Sequence, residues 1–221
     1  YTQDLSGIDI RGTIIGGQID NATSFTSTTN LNGVTLGTDT TFASNRLFNI
    51  TNDLQLLDGV TLTIGDASTY GDVRLYDAGT IRAASGSADI VFGSHTSSGI
   101  TGYSGGTYTV DASTTISGEN GSINFIENQG TINANVSGGY LQLNYGGSGW
   151  TNSGSLIASN GGTLNISGAI AAGGLGSYTI NTGGAISLAG TLNNTGYTQD
   201  LSGIDIRGTI IGGQIDNATS F

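Results

Sequence analysis

Residues 1–25 read YTQDLSGIDIRGTIIGGQIDNATSF, and residues 197–221 repeat this sequence without a single difference. Identity over such a length does not arise by chance, and the offset from Tyr1 to Tyr197 defines a 196-residue period. A fixed period of this kind is typical of repeat arrays, in which each unit packs on its neighbours. We therefore expect residues 1–196 to be one complete repeat unit and residues 197–221 to be the start of the next, within a longer tandem chain. The alternative is a single domain flanked by two copies of one duplicated segment.

The composition indicates a folded chain that is rich in glycine. Gly accounts for 39 of the 221 residues, apolar residues make up 36%, and Pro, Cys, Met and Lys are absent. Because β-branched and aliphatic residues are spread evenly among the glycines, the composition does not match that of disordered segments. The absence of Cys excludes a disulfide framework and a thiolate metal site.

The chain is acidic, with a formal charge of −11. Residues 197–221 contain three Asp and one Arg, so one 196-residue unit carries 13 acidic residues and four Arg, a charge of −9. This sign argues against nucleic acid and against anionic membrane surfaces as partners. The longest apolar stretches are only a few residues, so we expect no membrane insertion. Any export signal is expected to lie outside these residues.

Apolar and polar residues alternate wherever the sequence is regular. In residues 58–65, DGVTLTIG, the side chains of Val60, Leu62 and Ile64 fall on one face and the intervening Thr on the other. Residues 5–19 and 72–84 alternate in the same way. A period of two is typical of half-buried strands, and no period of 3.6 residues persists long enough to predict a helix.

The spacing of these strands favours a solenoid. Glycines lead into similar phrases at Gly33 and Gly59, and residues 130–143 align with residues 154–166 if one residue is deleted. A coil of ~20 to 26 residues fits these intervals, whereas a sandwich needs a turn every ~8 to 12 residues. We predict an all-β fold, a parallel β-helix (β-solenoid) with about 8–10 coils per 196-residue repeat, stacked at ~4.8 Å per coil. The absence of Pro agrees with a fold in which almost every strand pairs with two neighbours.

Three phrases resemble the repeats of bacterial cell-surface β-solenoids. They are ENQGTINANVSGGYLQLN (127–144), TNSGSLIASNGGTLNISG (151–168) and LAGTLNNTG (188–196). Similar phrases occur in autotransporter passenger domains, filamentous-haemagglutinin-like adhesins and giant tandem-repeat surface proteins. The resemblance implies an exported, right-handed β-helix with an adhesive or scaffolding role. It assigns no functional residues, because the shared phrases are structural.

Catalytic signals in the sequence are weak. Residues 102–106, GYSGG, match the G-x-S-x-G nucleophile pattern, but that motif requires a helix after the nucleophile and none is predicted. His95 is the one imidazole, and its Ser- and Thr-rich surroundings favour an exposed turn. We expect no catalytic residues and no enzymatic activity.

Five carboxylates are the candidates for a metal site. Consecutive coils could bring them together as oxygen ligands for Ca²⁺, although the calcium-binding nonapeptide G-G-x-G-x-D is absent. Arg74 and Arg82 lie nearby in the sequence, so a solvated outer face is the alternative. No other cofactor is expected. The candidates are Asp53, Asp58, Asp66, Asp72 and Asp77.

Two surface patterns suggest ligands. Thr-x-Thr occurs at residues 26–28, 61–63 and 107–109, but an ice-binding face would need this triplet at every coil in register. Trp150 and the nine Tyr could stack on sugars, or could instead cap the corners of a solenoid.

These observations together predict a structural protein, a building block of an extracellular fibre, stalk or sheath on the bacterial cell surface. Its expected partners are identical repeats stacked head to tail, with adjacent fibres or surface glycans as further candidates. The alternative is an adhesin or carbohydrate-binding rod, and a polysaccharide-active enzyme ranks third.

Overall fold

The computed structural model describes residues 1–22, 25–103, 107–150 and 152–218, with side chains for all of these except residues 145–150. Within these ranges the chain forms 26 strands and no helix. The first thirteen strands are β1 Thr2–Asp4, β2 Thr13–Ile15, β3 Gln18–Asp20, β4 Thr29–Leu36, β5 Thr40–Phe42, β6 Arg46–Leu56, β7 Thr61–Ile64, β8 Gly71–Tyr76, β9 Gly79–Ala83, β10 Ala88–Phe92, β11 Gly99–Gly102, β12 Tyr108–Val110 and β13 Thr114–Gly118. The other thirteen are β14 Asn120–Asn124, β15 Ile126–Asn128, β16 Thr131–Ala134, β17 Tyr140–Trp150, β18 Ser155–Ala158, β19 Thr163–Ile170, β20 Ser177–Ile180, β21 Ala185–Leu188, β22 Thr191–Asn193, β23 Thr198–Asp200, β24 Ile204–Ile206, β25 Thr209–Ile211 and β26 Gln214–Asp216.

The strands stack in three parallel ladders, which we call face 1, face 2 and face 3. Face 1 consists of β2, the first parts of β4 and β6, and then β8, β11, β14, β17, β19, β21 and β24. Face 2 begins with β1, β3, the second parts of β4 and β6, and then β9, β12 and β15. After an isolated bridge between Asn128 and Asn152, it continues with the ends of β17 and β19, followed by β22 and β25. Face 3 consists of β5, β7, β10, β13, β16, β18 and β20.

The chain passes through the faces in the order 1, 2, 3 and returns to face 1 one coil further along. Strands β4, β6, β17 and β19 run through two faces and join faces 1 and 2 into one 17-stranded sheet, while face 3 is a separate 7-stranded sheet. The bend inside β4 has Gly33 at φ 61°, and the bend inside β6 has Asn52 at φ 60°. Both residue types tolerate this left-handed conformation, which turns the chain from one face to the next.

The predicted parallel β-solenoid is therefore confirmed. Face 1 contains ten successive strands, so nine coils separate β2 from β24, within the predicted range of 8–10 per repeat. The coils vary in length more than the sequence intervals indicated. The chain from Thr13 to its ladder partner Asn30 is much shorter than the chain from Val73 to its partner Ile100.

The core is a column of aliphatic side chains that follows the axis of the solenoid. Along face 1, inward residues from six consecutive strands occupy the same register position and are at most 1% exposed. Stacking like residues at ~4.8 Å packs these side chains against one another and removes them from water. These residues are Val73, Ile100, Ile123, Leu143, Ile166 and Leu188.

Aromatic rings fill the coils that follow the first copy of the repeated segment. Phe42 and Phe48 stack with ring centroids 4.1 Å apart and planes 6° apart. Phe25 meets both rings edge-on at 5.3 Å. All three rings are buried, so this cluster anchors the segment on the next coils.

Buried asparagines line the corner between faces 2 and 3. The Asn128 amide donates to the Asn152 side-chain oxygen at 2.6 Å, and the Asn152 amide donates in turn to the Leu175 carbonyl oxygen at 3.0 Å. Further along the same corner, the Asn194 amide donates to the Gln214 carbonyl oxygen at 2.8 Å. Each amide thus satisfies a backbone or side-chain group of the next coil, where strand pairing is interrupted.

Candidate functional site: the open edges and the outer surface

The first copy of the repeated segment is covered by the coil that follows it, and the second copy is covered by the coil that precedes it. Ile204 is fully buried because β24 lies on β21, whereas the equivalent Ile8, in the first coil, is 49% exposed. Conversely, Ile19 is 2% exposed because β3 lies against Leu36, whereas the equivalent Ile215, in the last coil, is only half-buried. One amino-acid sequence therefore packs well against a coil on either side.

The backbone shows the same pairing capacity on both sides of the segment. In the first copy, the Thr35 N–H donates to the Gly17 carbonyl oxygen at 2.9 Å. In the second copy, the Thr209 N–H donates to the Gly190 carbonyl oxygen, also at 2.9 Å. The outermost strands keep the parallel geometry of a ladder, so each presents backbone groups in position to pair with another strand.

Two of the calcium candidates accept hydrogen bonds across one coil. Asp53 accepts the Thr80 N–H at 2.9 Å and lies 3.5 Å from the Arg82 guanidinium. Asp58 accepts the Ser87 N–H at 3.0 Å. Each of these carboxylates therefore already has a partner in the following coil.

Asp66 is bound by its own turn. Its carboxylate accepts the N–H groups of Ser68 and Thr69, each at 2.6 Å. These hydrogen bonds stabilise the ionised form and hold the pKa of the Asp66 carboxyl below its ordinary value.

The other two candidates lie on face 1 and at its edge. Asp72 pairs with Arg74 at 3.1 Å, and Asp77 follows β8 with φ 66°. In the part of the chain that the structure describes, no three His or acidic side chains are grouped so as to share a metal ion. The structure thus gives each of the five carboxylates its own surroundings, and calcium binding by them stays a prediction.

The residues of the weak catalytic signals are only partly described. Of the G-x-S-x-G match, residues 104–106 lie outside the described residues. His95 lies in a tight turn, where its carbonyl oxygen accepts the Ser98 N–H at 3.1 Å and its Nδ1 accepts the Ser97 N–H at 3.2 Å. Its ring centroid is 5.8 Å from that of Tyr70. The turn is as expected, but the imidazole is half-buried rather than exposed.

Among the described residues, Tyr76 and Tyr103 form an outward-facing aromatic pair. Tyr76 and Tyr103, one coil apart, stack with centroids 5.4 Å apart, and the Arg74 guanidinium lies 5.0 Å from the Tyr103 centroid. Tyr103 is 41% exposed. The side chain of Trp150 lies outside the described residues.

Tyr108, by contrast, points inward. Its side chain is buried and its hydroxyl donates to the Asn52 carbonyl oxygen. Burial disfavours the phenolate and raises the pKa of Tyr108. This ring therefore belongs to the core and offers no surface to a sugar.

The three Thr-x-Thr triplets occupy different places. Residues 61–63 lie on face 3, residues 107–109 lie on face 2, and residues 26–28 precede β4. Sequence reasoning missed a different feature, a row of mostly hydroxyl side chains down the outside of face 3, because only the strand register brings its members together. The row consists of Thr61, Asp89, Thr115, Thr131, Ser155 and Ser177.

Within the described ranges, the structure has no helix with the length and apolar character needed to span a lipid bilayer. Comparison of the chain with protein-family models, with curated proteins and with solved structures found no match.

Proposed function

We propose that the 196-residue unit is a structural building block of an extracellular fibre, stalk or sheath made from tandem β-solenoid repeats on a bacterial cell surface. Its partners are neighbouring identical units, stacked head to tail on the open edges. The unit acts mechanically, as a stiff spacer, and uses no catalytic residue.

One observation supports this proposal above the others, namely the complementary burial of the two identical segments. Ile8 is exposed where its copy Ile204 is buried, and Ile215 is exposed to a greater degree than its copy Ile19. If units follow one another, each copy of the segment has a coil on both sides, and all four positions are buried. Covering these edges also removes the unpaired strands that would otherwise associate nonspecifically.

The ladders account for mechanical strength in such a rod. Parallel strand pairing joins consecutive coils along the whole of face 1, along most of face 2, and along face 3 from β5 to β20, around one continuous apolar core. Each coil packs only against the coils next to it, so a longer chain adds length without a new kind of contact. A unit of about nine coils at ~4.8 Å each contributes a rise of about 45 Å.

A chain of three consecutive units tests the proposal by small-angle X-ray scattering and chemical denaturation. We expect its maximum dimension to exceed that of one unit by about 90 Å, the rise of two further units. Ile204→Asp at both internal junctions places a charge where the junction is dry, so we expect a flexible joint and a lower unfolding midpoint.

The matched control for this test is Ile211→Asp in the same segment. Ile211 is 51% exposed and its copy Ile15 is 71% exposed, so the control should scatter and unfold like the parent chain. If Ile204→Asp also behaves like the parent, the segment is not a buried junction. If the parent chain scatters as separate globules on flexible links, the rod is wrong.

The second candidate, an adhesin or carbohydrate-binding rod, draws on the outward aromatic group. Tyr76 and Tyr103 present a stacked pair beside the Arg74–Asp72 ion pair, which combines an apolar platform with hydrogen-bonding groups. Binding of a one-unit chain to a glycan array, abolished by Tyr103→Ala but kept in Tyr197→Ala, would favour this candidate. Equal binding by both variants would remove the aromatic pair as its basis.

A further inference from the structure

The two identical segments lie on different faces of the solenoid. In the first copy, Thr13–Ile15 forms β2 on face 1, where Thr13 pairs with Asn30. In the second copy, the same three residues form β25, Thr209–Ile211, and Thr209 pairs with Thr191 on face 2. Between one copy and the next, the segment has therefore advanced by one face.

The other strands of the segment also lie one face further on in the second copy than in the first. Strand β3, Gln18–Asp20, lies on face 2, whereas its copy β26, Gln214–Asp216, follows face 2 and occupies the third position of its coil. Residues 204–206 form β24 on face 1, whereas the identical residues 8–10 precede the face 1 strand of the first copy. All the described strands of the segment are therefore displaced together.

Counting coils gives the size of this displacement. Nine coils lead from β2 to β24 along face 1, and β25 is the next strand after β24, one face further on. The offset between the two copies thus corresponds to nine coils and one face. Since a coil has three faces, a unit contains nine and one-third coils.

We infer that each unit of the array is rotated by one face, about a third of a turn, relative to the unit before it. The inference rests on the proposed stacking of units and adds the geometry of the junction. At each junction the ladders exchange roles, so that face 2 of one unit continues as face 1 of the next. Face 1 continues as face 3, and the third position of the last coils continues as face 2.

The packing of the segment permits this exchange. On face 1 the inward side chain of β2, Ile14, stacks on Leu31. On face 2 the identical side chain of β25, Ile210, stacks on Leu192. Both contacts are aliphatic, and both partner leucines are buried. One sequence therefore serves on either face, because each face presents the same inward apolar and outward polar alternation.

The consequence is a rod that presents every surface group in three directions. A group such as the Tyr76–Tyr103 pair returns to the same face only after three units, or 28 coils, roughly 130 Å at about 4.8 Å per coil. The interaction surface that each unit offers to parallel rods is therefore distributed around the axis, which suits a bundle in which a rod contacts neighbours on all sides.

Gold labelling of an array of six units tests the inference by electron microscopy. The chain has no Cys, so Ser85→Cys supplies one thiol per unit at an exposed position. We expect labels at axial steps of about 45 Å that fall on three sides of the rod in turn, with the sequence of sides repeating every third unit. Ser68→Cys, exposed between β7 and β8, should give the same order from a different starting side.

The outcomes separate this inference from the function on which it rests. Straight rods with all labels along one side would contradict the rotation of one unit relative to the next, but would still support a continuous rod. Globules joined by flexible links would overturn the proposed function and this inference with it. A density map of the junction that places Thr209–Ile211 on face 2 of the preceding unit and face 1 of the following unit would support both.

Discussion

Buried asparagine side chains join consecutive coils at the corner between faces 2 and 3, in addition to the backbone pairing there. The side chains of Asn128 and Asn194 are fully buried, and that of Asn152 is nearly so. A buried amide stabilises only while its partners are present, because a group left without a partner keeps the full cost of its desolvation.

Asn152→Ala should therefore be strongly destabilising. The substitution removes one of two acceptors of the Asn128 amide, which keeps its hydrogen bond to the Gly130 carbonyl oxygen, at a cost of about 1 kcal/mol. It also removes the donor to the buried Leu175 carbonyl oxygen, and a buried group left without a partner costs about 1–3 kcal/mol. Denaturant unfolding of the variant should give a free energy lower by about 2–4 kcal/mol on that basis. Asn181→Ala, at an exposed position, is the control and should cost under about 0.5 kcal/mol. Equal effects of the two substitutions would contradict the role given to the corner.

Several surface aspartates give the fold a dependence on acid pH. The pKa of Asp66 is lowered from its ordinary value of 3.8 by the Ser68 and Thr69 N–H groups, and that of Asp111 is lowered by the Ser113 N–H. A carboxyl whose pKa is lowered in the folded state stabilises the fold above the unfolded pKa and loses that stabilisation as the pH falls through the folded pKa.

The thermal midpoint should accordingly be constant from neutral pH to about pH 4 and should fall below it, because the unfolded carboxylates then bind protons more readily than the folded ones. Asp66→Asn should make the decrease of the thermal midpoint at acid pH smaller and should lower the midpoint at pH 7. A melting curve measured by circular dichroism from pH 7 to pH 2 checks both points. A midpoint that rises on acidification would show that charge repulsion within this acidic chain outweighs the carboxylate hydrogen bonds.

At the scale of the strand, inward side chains contribute the apolar burial that holds the coils together. Leu164 is fully buried and lies in register between Leu141 and Ile186. Leu164→Ala should cost about 2–5 kcal/mol in free energy of unfolding, because the stacked coils on either side cannot collapse into the space. Ile157→Ala, on the outer side of β18, should cost markedly less. Similar losses at the two positions would mean that the inward stacks do not dominate the packing.

The alternation in residues 58–65 and 72–84 was enough to predict which side chains point inward. The similarity of residues 130–143 to 154–166 also predicted a correct pairing, since Thr131 stacks on Ser155 and Leu141 on Leu164. The unequal lengths of the coils could not be predicted, because a period of two fixes the face of each side chain and leaves its partner open.

The outer surface was less predictable than the core. The spacing of Asp53 and Asp58 gave no sign that each carboxylate accepts an N–H from the following coil. The hydroxyl row of face 3 was invisible for a similar reason, since its members are far apart in the chain and meet only through the ladder. Local sequence indicates local turns, whereas surface rows depend on register between coils.

At the scale of the whole molecule, we propose that the repeat continues as one unbroken solenoid. The two copies of the repeated segment pair with coils on opposite sides, in the same parallel geometry. Under the proposed stacking these strand pairings would join the units, because the segment that follows one unit is identical to the segment that begins the next. Stability should then rise with the number of units, as in other quasi-one-dimensional folds.

The most direct test is electron microscopy of a multi-unit chain, with diffraction recorded along the axis of aligned rods. We predict a meridional reflection near ~4.8 Å from the coil rise and unbroken rods that lengthen by about 45 Å per unit. Beads of one-unit size on flexible links, with no such reflection along the common axis, would contradict it. In that case residues 1–25 and 197–221 would be linkers or docking strands between separate domains.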